Sequence, residues 1–89
     1  MEFEWDIGKA RANEKKHKVS FYEASEVFDD DYSLSLSDPD HSIDEARYLI
    51  FGKSHQDRYL LVSYTERNSR IRVISARLMT IKERKAYEQ

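Results

Sequence analysis

The stretch that decides the fold is RYLLVSYTERNSRIRVISAR, residues 58–77. Two runs rich in β-branched and aromatic residues, 58–65 and 70–77, flank the polar segment 66–69. Runs of this kind on either side of a short polar segment are typical of a β-hairpin. We therefore expect the C-terminal half of the chain to be built on two antiparallel strands.

A further β-rich run precedes this hairpin. Residues 47–51 form a β-rich run that begins with Arg47 and stops at Gly52, and the polar segment 53–57 links it to the hairpin. Strands that follow one another with short connections usually pair with their neighbours, so the three runs predict an antiparallel meander. Residues 32–36 also alternate with a period of two, and loop-forming residues occupy 37–42.

The N-terminal part carries the signals of two helices. Asp6 is placed to cap a helix over 7–17, because its carboxylate can accept hydrogen bonds from the first turn. Ser20 and Glu23 have the capping-box spacing of a second helix, which the aspartates at 29–31 end. Its apolar face has the three- and four-residue steps of a helix and consists of Phe21, Ala24, Val27 and Phe28.

Short elements are expected at both ends of the chain. The aromatic run 3–5 is interpreted as an edge strand or an anchor. Thr80 and Glu83 repeat the capping-box form and predict a terminal helix to about Glu88. The predicted fold class is therefore α+β: a small two-layer domain, with two N-terminal helices on an antiparallel meander and a short C-terminal helix. At 89 residues the chain has room for one domain, 1–89.

Composition excludes several classes of protein. The chain has no cysteine, which rules out a disulfide scaffold, a thiolate zinc site and a cysteine nucleophile. It has no apolar run of about 18 residues, so no membrane span is predicted. Its opening residues include Glu2, Glu4 and Asp6 and resemble no secretory signal, so we expect a cytoplasmic protein.

Charge is segregated along the chain although the formal net charge is only −2. Residues 29–46 carry seven acidic side chains and no basic one, whereas residues 47–89 carry ten basic and four acidic ones. A basic half favours an anionic partner, and an acidic segment can meet a basic one. The division can also arise by chance in an ordinary charged surface.

Side chains alternate across a strand, which predicts how the arginines of the last run are distributed. Strict alternation places Arg77 on the same face as Ile71 and Val73, and places Arg70 and Arg72 on the other face. Arg77 would then project from the rim of the sheet, where its planar guanidinium group can bind a phosphate through two parallel hydrogen bonds. The structural alternative is an arginine–carboxylate pair that ties the sheet to a helix.

Aromatic residues and histidines supply further candidates. Tyrosines at 48, 59 and 64 lie among the arginines, a combination that single-stranded RNA binding uses, although most of them are expected to be packing residues. Histidine can act as a general acid or base near neutral pH, and the chain has His17, His41 and His55. The spacing of these residues and of the aspartates does not predict a metal site.

The ordered set of short motifs along nearly the whole chain resembles the BrnT-type toxins. Each motif alone is unspecific, and the specificity lies in their combination and order. The matching motifs are FEWD at 3–6 with Lys9, Asn13 and KH at 16–17, VSF at 19–21, EA at 23–24, VFD at 27–29, DPDHS at 38–42, YTER at 64–67, IR at 71–72, ISAR at 74–77, ER at 83–84 and YE at 87–88.

The resemblance implies the ribonuclease toxin of a type II toxin–antitoxin pair, with a compact RelE-like fold. It also implies a cognate BrnA-type antitoxin that binds DNA, neutralises the toxin and helps to repress their shared operon, so that operator DNA is contacted only through the antitoxin. One departure from the expected pattern is apolar Leu78-Met79 after Arg77, which reduces the local positive charge.

Our hypothesis is metal-independent and cofactor-independent cleavage of RNA, with messenger RNA as the substrate. Arg77 would stabilise the charge that develops at the phosphate, Arg47 would be a second clamp, and His17 or Glu66 would transfer the proton. The residues expected to hold the RNA backbone are Lys9, Arg67, Arg70, Arg72 and Arg84. The alternative is a non-enzymatic partner-binding module or corepressor that acts only in complex with a DNA-binding antitoxin. Direct sequence-specific DNA binding is a third possibility, but no helix has the evenly basic face of a recognition helix.

Overall fold

The computed structural model describes residues 1–41, 43 and 45–89. In chain order the helices and strands are β1 (Phe3–Glu4), α1 (Ile7–His17), α2 (Phe21–Glu26), β2 (Leu34–Ser37), β3 (Arg47–Lys53), β4 (Tyr59–Arg67), β5 (Arg70–Leu78) and α3 (Ile81–Tyr87). Short 3₁₀ turns lie at Val27–Asp29 and Pro39–His41. No helix within the described residues is both long enough and apolar enough to cross a membrane.

One five-stranded sheet, in the order β1-β5-β4-β3-β2, organises the molecule. Strands β3 to β5 form the antiparallel meander that the sequence predicts, and β2 extends it by pairing antiparallel with β3. Strand β1 is an edge strand that pairs with β5 in parallel. The sheet is therefore mixed rather than purely antiparallel. The predicted α+β class with two N-terminal helices, a meander and a C-terminal helix is confirmed.

The predicted helix starts are present, with one difference in detail. The side chains of Asp6 and Ser20 accept hydrogen bonds from the third residues of their helices, and Thr80 and Glu83 form a complete capping box. In α2 the capping box is only half formed, because the Glu23 carboxylate is buried and bonds to other residues. The second helix also ends earlier than predicted, at Glu26, and a 3₁₀ turn continues it.

The core lies between the sheet and the first two helices. Its fully buried side chains include Phe21 and Val27 from the helical layer and Leu60 and Val62 from β4. The full set of buried apolar residues in this cluster is Val19, Phe21, Ala24, Val27, Ile50, Leu60, Val62, Tyr64, Ile71, Val73 and Ala76. The α3 helix instead covers one end of the opposite face, where Tyr87 contacts Tyr59.

The tyrosines among the arginines are mainly packing residues, as expected from the sequence. Tyr64 is buried, and its ring meets those of Phe28 and Tyr48 at centroid distances of 5.0 and 5.4 Å. Tyr59 lies against α3, with the Arg84 guanidinium 4.0 Å from its ring centroid. Their ring faces are therefore engaged within the protein.

A β-bulge in β5 overturns the strict alternation expected for its arginines. Ser63 pairs with Ser75 and Tyr64 pairs with Val73, so Ile74 is an extra residue that has no partner on β4. The extra residue shifts the alternation by one, and both Val73 and Ala76 are consequently buried on the helical side. The prediction that Arg77 is separated from Arg70 and Arg72 is therefore wrong.

The same bulge collects the arginines on one face. Arg70 and Arg72 precede the bulge and Arg77 follows it, yet all three project to the face opposite α1 and α2. By their pairing with β4, Arg47 and Arg67 project to this face as well. We call it the exposed face of the sheet.

Asn13 fixes α1 against the part of β5 that lies beyond the short strand β1. Its side-chain amide donates to the carbonyls of Ala76 at 2.9 Å and Val19 at 3.0 Å, and its oxygen accepts from the Ala76 amide at 3.1 Å. Asn13 thus satisfies both backbone groups of Ala76, as a neighbouring strand would. This contact places the C-terminal turn of α1, with His17, beside the exposed face.

Candidate functional site

An open groove of about 530 Å³ runs across the exposed face. Its floor includes Leu49, Ser63 and Ser75, which lie side by side on β3, β4 and β5. Arg47 and Arg77 lie on either side of this row, because Arg47 pairs with Thr65 on one side and Arg77 pairs with Leu61 on the other. The groove therefore has two guanidinium groups flanking a floor without charge.

Two histidines complete the lining. His17 comes from the C-terminus of α1, which Asn13 holds against β5. His41 comes from the 3₁₀ turn before β3, and its Nδ1 lies 3.0 Å from Oδ2 of Asp38. Asp38 also lines the groove, and its backbone amide donates to the Arg47 carbonyl at 2.8 Å. The groove thus brings two guanidinium groups and two imidazoles together.

Arg77 makes the arginine–carboxylate pair that was the structural alternative at this position. Its two terminal nitrogens donate to the two oxygens of Glu83 at 2.9 and 3.0 Å, and one also donates to the Leu78 carbonyl at 3.1 Å. This guanidinium is the main reason why the pKa of Glu83 falls from 4.5 to about 2, and the carboxylate raises the pKa of Arg77 in turn. The Arg77 side chain keeps 39% of its surface exposed and still lines the groove.

Arg67 and Arg72, which also lie on the exposed face, are paired with carboxylates as well. Arg67 makes a two-point contact with Glu45, at 2.9 and 3.0 Å, and this contact lowers the pKa of Glu45. Arg72 donates to Glu4 at 2.9 Å. The Arg67–Glu45 pair is the more exposed of the two, and exposed ion pairs contribute little to stability.

Arg70, Arg84 and Lys9 lie further from the groove. Arg70 contacts Glu2 at 3.3 Å on the β1 edge. Arg84 lies 3.8 Å from Glu88 on α3. Lys9 lines a smaller cleft of about 250 Å³ that shares His17, Ile74 and Ser75 with the main groove.

Glu66 does not line the groove. It is two residues beyond Tyr64, so its side chain projects to the face that carries the helices, and it is exposed there. The structure thus brings together three of the four predicted catalytic candidates, namely His17, Arg47 and Arg77, and leaves Glu66 outside. The roles of all four stay predictions.

Sequence reasoning missed His41 and Asp38 as a linked pair. Their spacing of three residues in Asp-Pro-Asp-His was the available signal, because a proline-led turn can bring such residues together. That the pair faces Arg47 depends on the path of the chain into β3 and is not visible in the sequence. Among the described residues, no group of three or more His, Cys, Asp or Glu could hold a metal ion.

A second polar cluster lies away from the groove and ties α2 to the sheet. The buried carboxylate of Glu23 accepts from Nε of Arg58 at 2.9 Å, from a second nitrogen of that guanidinium, and from Ser54 at 2.8 Å. Arg58 also donates to the Lys18 carbonyl at 2.8 Å. The Arg58 hydrogen bonds hold the pKa of Glu23 below its usual value despite burial. Because every partner is internal, this cluster is structural.

The fold and the groove define a class: small α+β domains whose exposed sheet face presents arginines and histidines in an open groove. The family described as "Ribonuclease toxin, BrnT, of type II toxin-antitoxin system" matches residues 5–83, and the chain belongs to this family. The resemblance seen in the sequence is thereby confirmed. The family description implies, in general terms, an RNA target and an antitoxin partner.

A solved structure supports the fold. The chain is similar to the ribonuclease toxin BrnT of Brucella abortus, whose crystal structure was determined at 1.1 Å resolution. The two share 19% sequence identity with a TM-score of 0.69, over 90% of this chain and 97% of that one. At this identity the likeness shows the fold alone. No curated protein matches the chain.

Proposed function

We propose that this chain is the toxin of a type II toxin–antitoxin pair and acts as a metal-independent endoribonuclease. Its substrate is messenger RNA, and its cleavage inhibits translation and growth until a BrnA-type antitoxin neutralises it. The observation that carries the proposal is the groove, where His17, Arg47 and Arg77 meet on one face of the sheet. Membership of a ribonuclease toxin family supports it.

The groove suits cleavage by the neighbouring 2′-hydroxyl of the RNA. The 2′-oxygen loses its proton and attacks phosphorus, the bond to the 5′-oxygen breaks, and the products are a 2′,3′-cyclic phosphate and a 5′-hydroxyl. Such a reaction needs proton-transfer groups and cations near the phosphate. His17 supplies a proton-transfer group, and Arg47 and Arg77 supply the cations. No step requires a metal or a bound cofactor.

The Arg77–Glu83 pair is compatible with phosphate binding. Carboxylate and phosphate both accept two parallel hydrogen bonds from a guanidinium, so a phosphate in the groove can take the place of Glu83. The pair also holds the Arg77 fork in a fixed orientation before RNA arrives. Arg67 and Arg72 on the same face of the sheet, with Arg70, Arg84 and Lys9 further from the groove, hold the flanking backbone through charge in this proposal.

The test is cleavage of a single-stranded RNA oligonucleotide by the purified chain in the presence of EDTA. We expect products that end in a cyclic phosphate, and no cleavage of the same oligonucleotide with 2′-O-methyl groups. Arg77→Ala should lower kcat by about 10²- to 10³-fold, as removal of one donor from a charge-stabilising site typically does. Arg11→Ala removes an exposed arginine outside the groove and should leave the rate unchanged.

Circular dichroism and thermal unfolding must show that Arg77→Ala is folded. Full cleavage by that folded variant would refute the role of Arg77. Failure of the wild-type chain to cleave, together with tight binding to its antitoxin, would instead favour the non-enzymatic module.

The acidic segment provides a surface for the antitoxin in this proposal. Asp29 and Asp31 lie in the segment that has no Lys or Arg, and both carboxylates can receive cations from a partner; Asp29 contacts His55 at 3.2 Å but keeps 71% of its side chain exposed. Asp30 is different, because its carboxylate accepts from the Lys53 amide at 2.8 Å, the Tyr32 amide at 3.0 Å and the Tyr87 hydroxyl. Charge reversal should therefore be confined to its two neighbours.

The partner to use is the protein encoded by the adjacent reading frame. Calorimetry should show weaker binding of that protein to the Asp29→Lys/Asp31→Lys variant than to the wild-type chain. Unchanged affinity would remove the acidic segment from the proposed interface.

A further inference from the structure

Cleavage by a 2′-hydroxyl requires two proton transfers, and the residues proposed so far account for only one of them. One group must take the proton of the attacking 2′-oxygen, and another must give a proton to the departing 5′-oxygen. His17 can perform one of these transfers. Glu66, the other sequence candidate, projects to the wrong face of the sheet.

We propose that His41, oriented by Asp38, is the second proton-transfer residue of this groove. The inference rests on the proposed ribonuclease function and names a catalytic residue for it. His41 lines the same groove as His17, Arg47 and Arg77. It comes from the turn before β3, whereas His17 comes from the end of α1 beside β5, so the two imidazoles approach the groove from different sides.

The contacts of His41 give it a defined orientation. Its Nδ1 lies 3.0 Å from the Asp38 carboxylate, within a 3₁₀ turn in which the His41 amide also donates to the Asp38 carbonyl at 3.3 Å. Asp38 is itself anchored, because its backbone amide donates to the Arg47 carbonyl and its side chain is only 15% exposed. The His41 side chain remains 65% exposed, so a substrate can reach it.

This arrangement fixes the chemistry of the two ring nitrogens. A carboxylate that accepts from Nδ1–H holds the proton on that nitrogen and leaves Nε2 for proton exchange with a substrate. The carboxylate thereby orients the ring, as the aspartate of a catalytic triad does. Asp38 is therefore a positioning residue, and His41 is the catalytic one.

The complete step balances with two histidines. One imidazole takes the proton of the 2′-hydroxyl as the bond from the 2′-oxygen to phosphorus forms. The other, as an imidazolium, gives a proton to the 5′-oxygen as its bond to phosphorus breaks. After the step the first imidazole carries one more proton and the second carries one fewer, and no oxidant, metal or co-reactant is consumed. Hydrolysis of the cyclic phosphate by water would return the pair to its starting state.

The competing explanation is that His41 and Asp38 form an ordinary surface pair. His55 provides the matched control, since it also contacts carboxylates, Asp29 at 3.2 Å and Glu26 at 3.7 Å. Its side chain is 61% exposed, close to the value for His41, but it does not line the groove. The two histidines therefore differ mainly in their access to the site.

The experiment measures kcat and KM for cleavage of a fluorophore- and quencher-labelled RNA oligonucleotide in EDTA. His41→Gln should lower kcat by about 10²-fold or more, the usual contribution of a general acid or base, with KM nearly unchanged. Asp38→Asn should cause a smaller loss of kcat, and His55→Gln should cause none. Added imidazole should partly restore the kcat of His41→Ala, which a merely structural role would not produce.

The outcomes separate this inference from the function on which it rests. Wild-type cleavage together with an unaltered kcat in folded His41→Gln overturns the inference and leaves the ribonuclease proposal standing. A loss confined to KM, or equal losses in the His41 and His55 variants, also overturns it. A wild-type chain that does not cleave the RNA overturns the proposed function and this inference with it.

Discussion

Replacing Glu83 by glutamine should destabilise the protein at neutral pH and not at low pH. Glutamine keeps the shape of the side chain and an oxygen that can accept from the Thr80 amide, which Glu83 does at 2.9 Å. It removes the negative charge that faces Arg77. The substitution therefore isolates the ion pair from the helix cap that the same residue completes.

The magnitude follows from the pKa of Glu83. A pKa lowered from 4.5 to about 2 corresponds to about 3 kcal/mol of stability, at about 1.4 kcal/mol for each pH unit. Solvent screens the pair, because the Arg77 and Glu83 side chains are 39% and 25% exposed. We therefore expect a loss of about 1 to 2 kcal/mol at pH 7.

The sign of the pH dependence is fixed by the direction of this change. A carboxyl group whose pKa is lower in the folded state contributes its full stability above its unfolded pKa of 4.5. That contribution disappears as the pH falls from about 5 toward 2, because the folded protein then binds the proton as well. The stability difference between wild type and Glu83→Gln should shrink over the same interval.

The assay is urea denaturation at pH 7, 5 and 3, followed by circular dichroism. Glu88→Gln is the control, because Glu88 lies 3.8 Å from Arg84 in an exposed pair and its loss should cost less than about 0.5 kcal/mol. A difference between wild type and Glu83→Gln that stays constant from pH 7 to pH 3 would refute the reasoning, since the loss would then not depend on charge. The same variant should also bind a 2′-O-methyl RNA more tightly, because Arg77 no longer faces a carboxylate.

Two further substitutions test how the fold positions the groove. Asn13→Ala leaves three buried backbone groups without their hydrogen-bond partner and should lower the free energy of unfolding by about 2 to 4 kcal/mol in urea denaturation. Hydrogen exchange at the Ala76 amide should become faster. Unchanged exchange at this amide would show that Asn13 does not replace a neighbouring strand as the partner of Ala76. Gly52→Ala places a Cβ 2.9 Å from the Cβ of buried Val27 and should lower the free energy of unfolding by about 1 to 3 kcal/mol in the same assay. An unchanged free energy of unfolding would mean that the 3₁₀ turn containing Val27 can move away from β3.

Local signals in the sequence were sufficient for most of the secondary structure. Asp6, Ser20 and Thr80 do cap the three helices, because a cap depends on residues within one turn of chain. The hairpin was also predictable, although its turn is shorter than expected. Only Asn68 and Ser69 leave the strands, both in the left-handed conformation that matches the twist of a two-residue hairpin.

Contacts between distant residues were not predictable in this way. The partners of Glu23 lie 31 and 35 residues away, and those of Asn13 include Ala76, which is 63 residues away. The parallel pairing of β1 with β5 joins the two ends of the chain. Nothing in the local pattern of these residues distinguishes such partners from other polar groups.

By itself, the sequence determined the class of fold, the family and the concentration of arginines in the C-terminal half. These properties depend on the order and type of residues, which can be read along the chain. The tertiary structure decided which side chains meet. The bulge at Ile74 places Arg77 on the same face as Arg70 and Arg72, because one extra residue reverses the direction of every side chain after it. The packing of α1 and the turn before β3 then bring His17 and His41 to that face. This proximity cannot be predicted from strand alternation or from the spacing of residues in the sequence.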